Sequence, residues 1–210
     1  MNVLLIYYSF TSQAERAVQE MRRALVEDGH QVVVGRIDYS DPAARLQRPI
    51  SWDEISRLGK LSRDGVHVPV DLTVDGEGAE ETDLIVLCSN TWNFSPAVPV
   101  QSFLADADGV RLLKGKKVAV AIICRGFWRS NLKKLRPLIT ATGAELIGHD
   151  AFTHDGAWLT STIQTVKHMT SLTDTGRFGV LPLPKFGLSD TSMRRIAPFI
   201  RQMLTRASRS

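Results

Sequence analysis

Residue types that could do chemistry gather in three short stretches, each directly after an apolar run. The first is Ser9, Phe10, Thr11, Ser12 and Gln13, with Ala14 next, after NVLLIYY. Three hydroxyls stand where a helical pattern begins. A helix start offers free backbone N–H groups and the positive end of its dipole to an anion. The same residues read equally well as plain capping, because Ser12 and Glu15 satisfy the S-x-x-E pattern. The second stretch, after DLIVLC, is Ser89, Asn90, Thr91, Trp92, Asn93, Phe94, Ser95 and Pro96. Two rings among small polar groups suit a planar ligand, stacked on its faces and hydrogen-bonded at its edge. The alternative is that both rings fold back on the protein. The third, after VAVAIIC, is Arg125, Gly126, Phe127, Trp128 and Arg129. Glycine allows close approach, and arginine pairs with phosphate or carboxylate. The alternative is a solvated loop with arginines stacked on its rings.

The elements that must position these stretches are legible in the periodicity. Residues 2–8 form a continuous apolar run, as a strand buried on both faces does. Residues 13–28 repeat apolar positions at spacings of three and four, and Gly29 ends that helix. Strands are expected at 31–37, 83–89, 117–124 and 144–152, with a helix over 131–142. Strands alternating with helices imply a parallel sheet covered on both faces. In such a sheet ligands bind beyond the carboxyl ends of the strands, where the strand order reverses. All three stretches fall at that edge.

Two segments exceed the minimal pattern. In the insert 38–82, Ser51 and Glu54 make a capping box for a helix running to about Arg63, and 66–74 alternates like an edge strand, with Pro69 keeping it from the interior. The extension 153–210 carries a helix near 158–171, a loop, and a last helix from about 190 whose apolar stripe is Ile196, Phe199, Ile200, Met203 and Leu204. Pro198 should kink that helix or mark a late start. The absence of a low-complexity linker or repeat implies one domain over 1–210.

Composition limits the classes of function. The chain has 210 residues, 43% hydrophobic and 23% charged, with a net charge of +4. The basic excess is modest and lacks the aromatic-interleaved stripe of a nucleic-acid reader, so no nucleic-acid partner is expected. No apolar run reaches the ~18 residues of a membrane span, and the start lacks the form of a signal peptide. A cytoplasmic location is the expectation. Cys88 and Cys124 end apolar runs and read as reduced core thiols. The five histidines lack ligand spacing with Cys, Asp or Glu, so no metal is expected. FTHDG, with His154 and Asp155, reads as a polar turn on its Asp-Gly signal. A proton donor near the ligand is the alternative.

On these residues the chain resembles the flavodoxin-like FMN proteins, including NAD(P)H-dependent FMN reductases and quinone reductases. YYSFTSQAERA is similar to that family's first loop, whose usual form is Ser/Thr-x-Thr-Gly-Asn-Thr. DLIVLCSNTWNFSPAVPVQSFL resembles its third strand and second flavin loop, and KKVAVAIICRGFWRSNLKKL its fourth strand and third loop. The match covers about residues 2–152. It implies an α/β three-layer sandwich with a five-stranded parallel sheet in order 2-1-3-4-5 and FMN at the loop edge. Ser9, Thr11, Ser12, Gln13 and Ala14 would surround the phosphate. Asn90, Thr91, Trp92, Asn93 and Phe94 would flank one side of the ring, and Arg125, Gly126, Phe127 and Trp128 the other. Ser12 stands where the family has glycine, and Ala14 where it has a hydroxyl. A glycine is needed there if φ is positive. A capping serine keeps a negative φ and offers its Oγ to the phosphate.

The resemblance implies a hydride-transferring reductase that takes NAD(P)H as co-substrate and a small quinone-like or other conjugated acceptor. Flavodoxin-type electron carriers are usually strongly acidic, unlike this chain. Reductases of this fold often place the flavin at a dimer interface, so a homodimer is expected. The rival is the same fold without flavin, binding another phosphorylated ligand or serving as an interaction subunit.

Overall fold

The computed structural model describes residues 1–171 and 176–209. In chain order the elements are β1 (Asn2–Tyr7), α1 (Gln13–Glu27), β2 (Gln31–Tyr39), α2 (Trp52–Asp64), β3 (Val70–Asp75), β4 (Leu84–Trp92) and β5 (Ser95–Pro96). Then come α3 (Val98–Ala105), α4 (Ala107–Leu113), β6 (Lys117–Cys124), α5 (Trp128–Ala141), β7 (Glu145–Thr153) and α6 (Trp158–Thr170). A small hairpin of β8 (Arg177–Phe178) and β9 (Leu181–Pro182) precedes α7 (Asp190–Ala207).

The main sheet runs β3-β2-β1-β4-β6-β7. Its five parallel strands, β2, β1, β4, β6 and β7, have the implied order 2-1-3-4-5. The expectation of five strands in all is corrected to seven. The alternating segment adds β3 antiparallel to β2 at the edge, and β5 folds back antiparallel on β4. An edge is the place where Pro69, just before β3, costs no ladder bond.

Side-chain alternation splits the core into two layers. Val3, Leu5 and Tyr7 point to a cluster with α1 and α7, while Leu4, Ile6 and Tyr8 point to one with α3 and α5. Cys88 and Cys124 are buried free thiols in these layers. The predicted stripe of α7 is buried as expected. That helix starts at Asp190 and contains Pro198, so the proline does not mark its start. No helix of the described residues is long and apolar enough to cross a membrane.

The insert's helix α2 has the predicted cap, with the Glu54 N–H donating to Ser51 Oγ at 3.1 Å. It is held against the end of the sheet by a buried polar joint. The single Ser62 hydroxyl proton is shared between the carbonyls of Pro96 (2.8 Å) and Trp92 (3.1 Å). Gln101 Nε2, from α3, donates to the carbonyls of Pro96 (2.6 Å) and Ser62 (2.9 Å). Buried acceptors stripped of a donor cost about 1–3 kcal/mol. Gln101→Leu is therefore expected to lower unfolding free energy by about 1–3 kcal/mol, measured by urea denaturation, and to raise hydrogen exchange in α2 first.

Candidate functional site

The carboxyl ends of β1, β4 and β6 meet where the strand order reverses, between β1 and β4. A cavity of about 330 Å³ opens there, within the range of small-molecule sites. The loop after β1 contributes Phe10, Thr11 and Gln13; the end of β4 contributes Asn90, Thr91 and Trp92, followed by Asn93. Cys124 and Arg125 come from the end of β6, and His154 from just past β7. The insert walls it with Ile50 and α2, and the extension with Thr165 and Met169 of α6.

Seven of the residues expected to hold FMN thus face one cavity: Thr11, Gln13, Asn90, Thr91, Trp92, Asn93 and Arg125. Ser9, Ser12, Ala14, Phe94, Gly126, Phe127 and Trp128 lie outside its lining. Trp92 packs edge-on against Tyr8 at 5.7 Å, and Trp128 packs near His149 at 6.1 Å with the Arg129 guanidinium over it. Phe94 and Phe127 meet edge to face at 4.4 Å, with Trp158 beyond Phe127 at 5.9 Å, and all three rings are well exposed. The fold-back alternative therefore describes Trp92 but not Phe94, and Trp128 carries the stacked arginine of the third stretch's alternative.

The first loop does not cap α1 as S-x-x-E suggested. Ser12 has φ 58° and ψ 5°, and its side chain makes no cap hydrogen bond. It takes the left-handed conformation in which glycine is at ease. Its side chain is exposed, so it does not fill the loop. The Glu15 N–H reaches Ser9 Oγ at 3.5 Å, and the first helical bond is from Arg16 N–H to the Ser12 carbonyl at 2.9 Å. The Gln13 and Ala14 N–H groups precede that bond, so they have no intrahelical acceptor. Gln13 turns its side chain inward. Its Oε1 accepts from the Leu188 N–H at 2.9 Å, and a Cβ on Gly187 would meet the same oxygen at 2.5 Å. The extension is thereby packed onto the first loop.

The second stretch is a tight hairpin. Thr91 pairs with Pro96 and Trp92 with Ser95, leaving Asn93 and Phe94 as a two-residue turn with φ 43° and 70°. Two positive φ values make the turn type that favours Asn-Gly. Phe127 also has positive φ, 58°. The non-glycine residues with positive φ among the described residues are Ser12, Asn93, Phe94 and Phe127, and all sit in these three stretches.

The last two stretches are joined by Asn131 of α5, which is fully buried. Its Nδ2 donates to the Asn90 carbonyl (3.1 Å) and Thr91 Oγ1 (2.9 Å), and its Oδ1 accepts from Ser89 Oγ (3.3 Å). Asn90 Oδ1 and His154 Nδ1 are buried and have no hydrogen-bond partner. Burial, with the nearby Arg125 and His168 charges, pushes His154 down to about 4, so it is neutral at pH 7. Burial likewise lowers Arg125. No group of three or more His, Cys, Asp or Glu among the described residues is arranged to hold a metal ion.

His154 is the group that the turn signal of FTHDG concealed. The wall of α6 was legible in part: Ser161, Gln164 and Thr165 are buried polar residues at helical spacing, where an apolar stripe would mark an ordinary core face. Ile50, Ile55 and Leu58 carried no signal beyond the length of the insert.

No protein-family model matches the chain, and no curated protein matches it. Solved structures do. A flavoprotein from Lactobacillus acidophilus, determined in complex with FMN, is 15% identical with a TM-score of 0.53, covering 71% of this chain and 92% of its own. A WrbA-like flavodoxin from Agrobacterium tumefaciens is 11% identical with a TM-score of 0.51, covering 99% and 98%. A flavodoxin from the domain Archaea is 10% identical with a TM-score of 0.53, covering 99% of each chain. These likenesses establish the flavodoxin-like fold.

Two expectations follow from the site's geometry. Ser12→Gly removes left-handed strain of about 1–2 kcal/mol and adds about 0.4–1 kcal/mol of unfolded-state entropy. A net gain of roughly 0.5–1 kcal/mol is expected from urea denaturation. His154 has a folded value of about 4 against an ordinary 6.5, so the unfolded chain binds the extra proton between them. Its contribution is full above about pH 6.5 and is lost as pH falls towards 4. His154→Gln should therefore lose less stability than wild type between pH 7 and pH 4, by on the order of 2–3 kcal/mol. Denaturant midpoints of the two proteins across that window measure the difference.

Proposed function

We propose that the chain is an FMN-dependent oxidoreductase that passes reducing equivalents from NAD(P)H to a quinone-like or other conjugated acceptor. The observation that carries this reading is the cavity itself: it lies at the carboxyl edge of a flavodoxin-like sheet, at the reversal of strand order, with a phosphate-type loop on one side.

The residues suit FMN in kind. The Gln13 and Ala14 N–H groups at the start of α1, with the hydroxyls of Ser9 and Thr11, are donors for a phosphate. The exposed Ser12 side chain leaves the loop backbone free to approach it. Asn90 Oδ1, buried and unpartnered, is an acceptor for the ring-edge N–H of an isoalloxazine. Phe10 and Trp92 supply apolar wall beside it. When bound, FMN supplies reversible hydride and single-electron transfer. The chain's own part is to hold and orient the ring and to exclude water with α2 and α6, leaving room for nicotinamide and acceptor in turn. The net charge of +4 favours this reading over an acidic electron carrier.

One observation favours the rival reading in the form of a flavodoxin fold without flavin that serves as an interaction subunit. The Gln13 side chain is engaged by the Leu188 N–H, and Ala14 has no hydroxyl, so the loop relies on fewer side-chain donors.

Purified protein is expected to absorb near ~450 nm or to release flavin on heating. Added FMN at about 100 times Kd should stabilise the protein by about 2.7 kcal/mol, seen as a raised melting temperature. NAD(P)H should bleach the bound flavin anaerobically. A colourless protein whose melting temperature ignores FMN sinks the flavin reading in favour of its rival. Bound flavin that NAD(P)H cannot bleach leaves a carrier.

A further inference from the structure

The part of the cavity between β6, β7 and α6 holds polar groups that FMN binding leaves without a role. Arg125 follows the end of β6 and is partly buried, and its Nη1 reaches only the Thr162 carbonyl on α6, at a long 3.5 Å. Among the described residues no carboxylate lies within ion-pair distance of it. A guanidinium partly withdrawn from water without a counter-charge is costly unless something supplies one. Beside it stands His154, whose Nδ1 is buried and unpartnered. A neutral imidazole there can donate or accept one hydrogen bond. From α6, Thr165 lines the cavity, and Ser161 and Gln164 of the same helix are also buried and polar. One uncompensated cation, an unpaired ring nitrogen and a polar wall make a place for negative charge.

The size of that charge follows from the inventory. Among the residues lining the cavity, one guanidinium and otherwise neutral side chains balance a single charge. A phosphate dianion would be left half compensated, and the start of α1, with its free N–H groups, suits it better. We propose that Arg125 and His154 form a subsite for a singly charged oxyanion carried by the electron acceptor. The substrate class is then a conjugated acid, such as an ionised hydroxyquinone or an aromatic carboxylate, in preference to a neutral quinone. The redox half of this statement rests on the flavin reading; the binding half does not.

The test uses a hydroxynaphthoquinone, ionised at neutral pH, and its methyl ether, which has the same ring and no charge. Calorimetry on the purified protein, with and without FMN, gives a dissociation constant for each. Wild type is expected to bind the anion roughly tenfold or more tightly than the ether, the usual worth of a charge-assisted hydrogen bond. Arg125→Gln should bring the ratio to within about twofold, and Arg125→Lys should keep most of it. The ratio is the readout, so a general loosening of the cavity, which weakens both ligands, does not mimic the effect. Acidifying wild type through the quinone's own ionisation should remove the preference, a check that needs no variant to fold. Equal binding by wild type, or a preference that survives Arg125→Gln, overturns the subsite. Failure of the flavin reading shows separately, as absence of FMN binding by wild type.

Discussion

Burial of β1, β4 and β6 on both faces is the constraint on which the molecule depends. Leu4, Leu5 and Ile6, then Leu84 to Cys88, then Val118 to Ile122, are essentially removed from water. Each such side chain is worth about 1.5–3 kcal/mol of burial, so these strands require cover above and below. The helices α1 and α7 supply it on one side, α3 and α5 on the other. Polar groups are thereby excluded from both faces and pressed to the ends of the strands. The cavity lies at one such end, where neighbouring chain paths diverge and leave space.

A polar edge on an apolar sheet needs its own fastening, and buried side chains provide it. Asn131 ties α5 to the end of β4. Ser62 and Gln101 tie the insert to the β4–β5 hairpin. Gln13 ties the first loop to the extension. Such bonds are strong in a low-dielectric interior, and costly when broken. They make the insert and the extension, outside the minimal fold, part of the cavity wall. Backbone bonds add to this: the His154 N–H donates to the Cys124 carbonyl and the Ser189 N–H to that of Thr153, so the end of β7 is clasped between β6 and the segment leading into α7.

The sheet was legible because continuous apolar runs have one solution in an α/β chain, and the edge strand because alternation and Pro69 agree. The site was legible by half. The hairpin at Asn93 and Phe94 was hidden because Phe94 stands where that turn favours glycine, so the turn wore the look of an aromatic ligand loop. Ser12 satisfied a local capping pattern that the path into α1 overrides. Trp92 and Trp128 were read as ligand platforms because their partners, Tyr8 and His149, are far off in sequence. His154 looked like a turn residue, and only the meeting of β7 with α6 makes it a cavity group.

The backbone strain has a common address. Left-handed conformations cost an ordinary residue about 1–2 kcal/mol each, asparagine less, yet Ser12, Phe94 and Phe127 adopt them beside Asn93, and they fall on all three edge stretches. Packing offsets part of the cost, since Phe94 and Phe127 hold each other at 4.4 Å and Phe127 leans on Trp158. Packing does not account for Ser12, which is exposed and makes no cap bond. A scaffold selected for stability alone would relieve that position with glycine. Strain is kept at several points of one rim and is found at no other non-glycine position among the described residues.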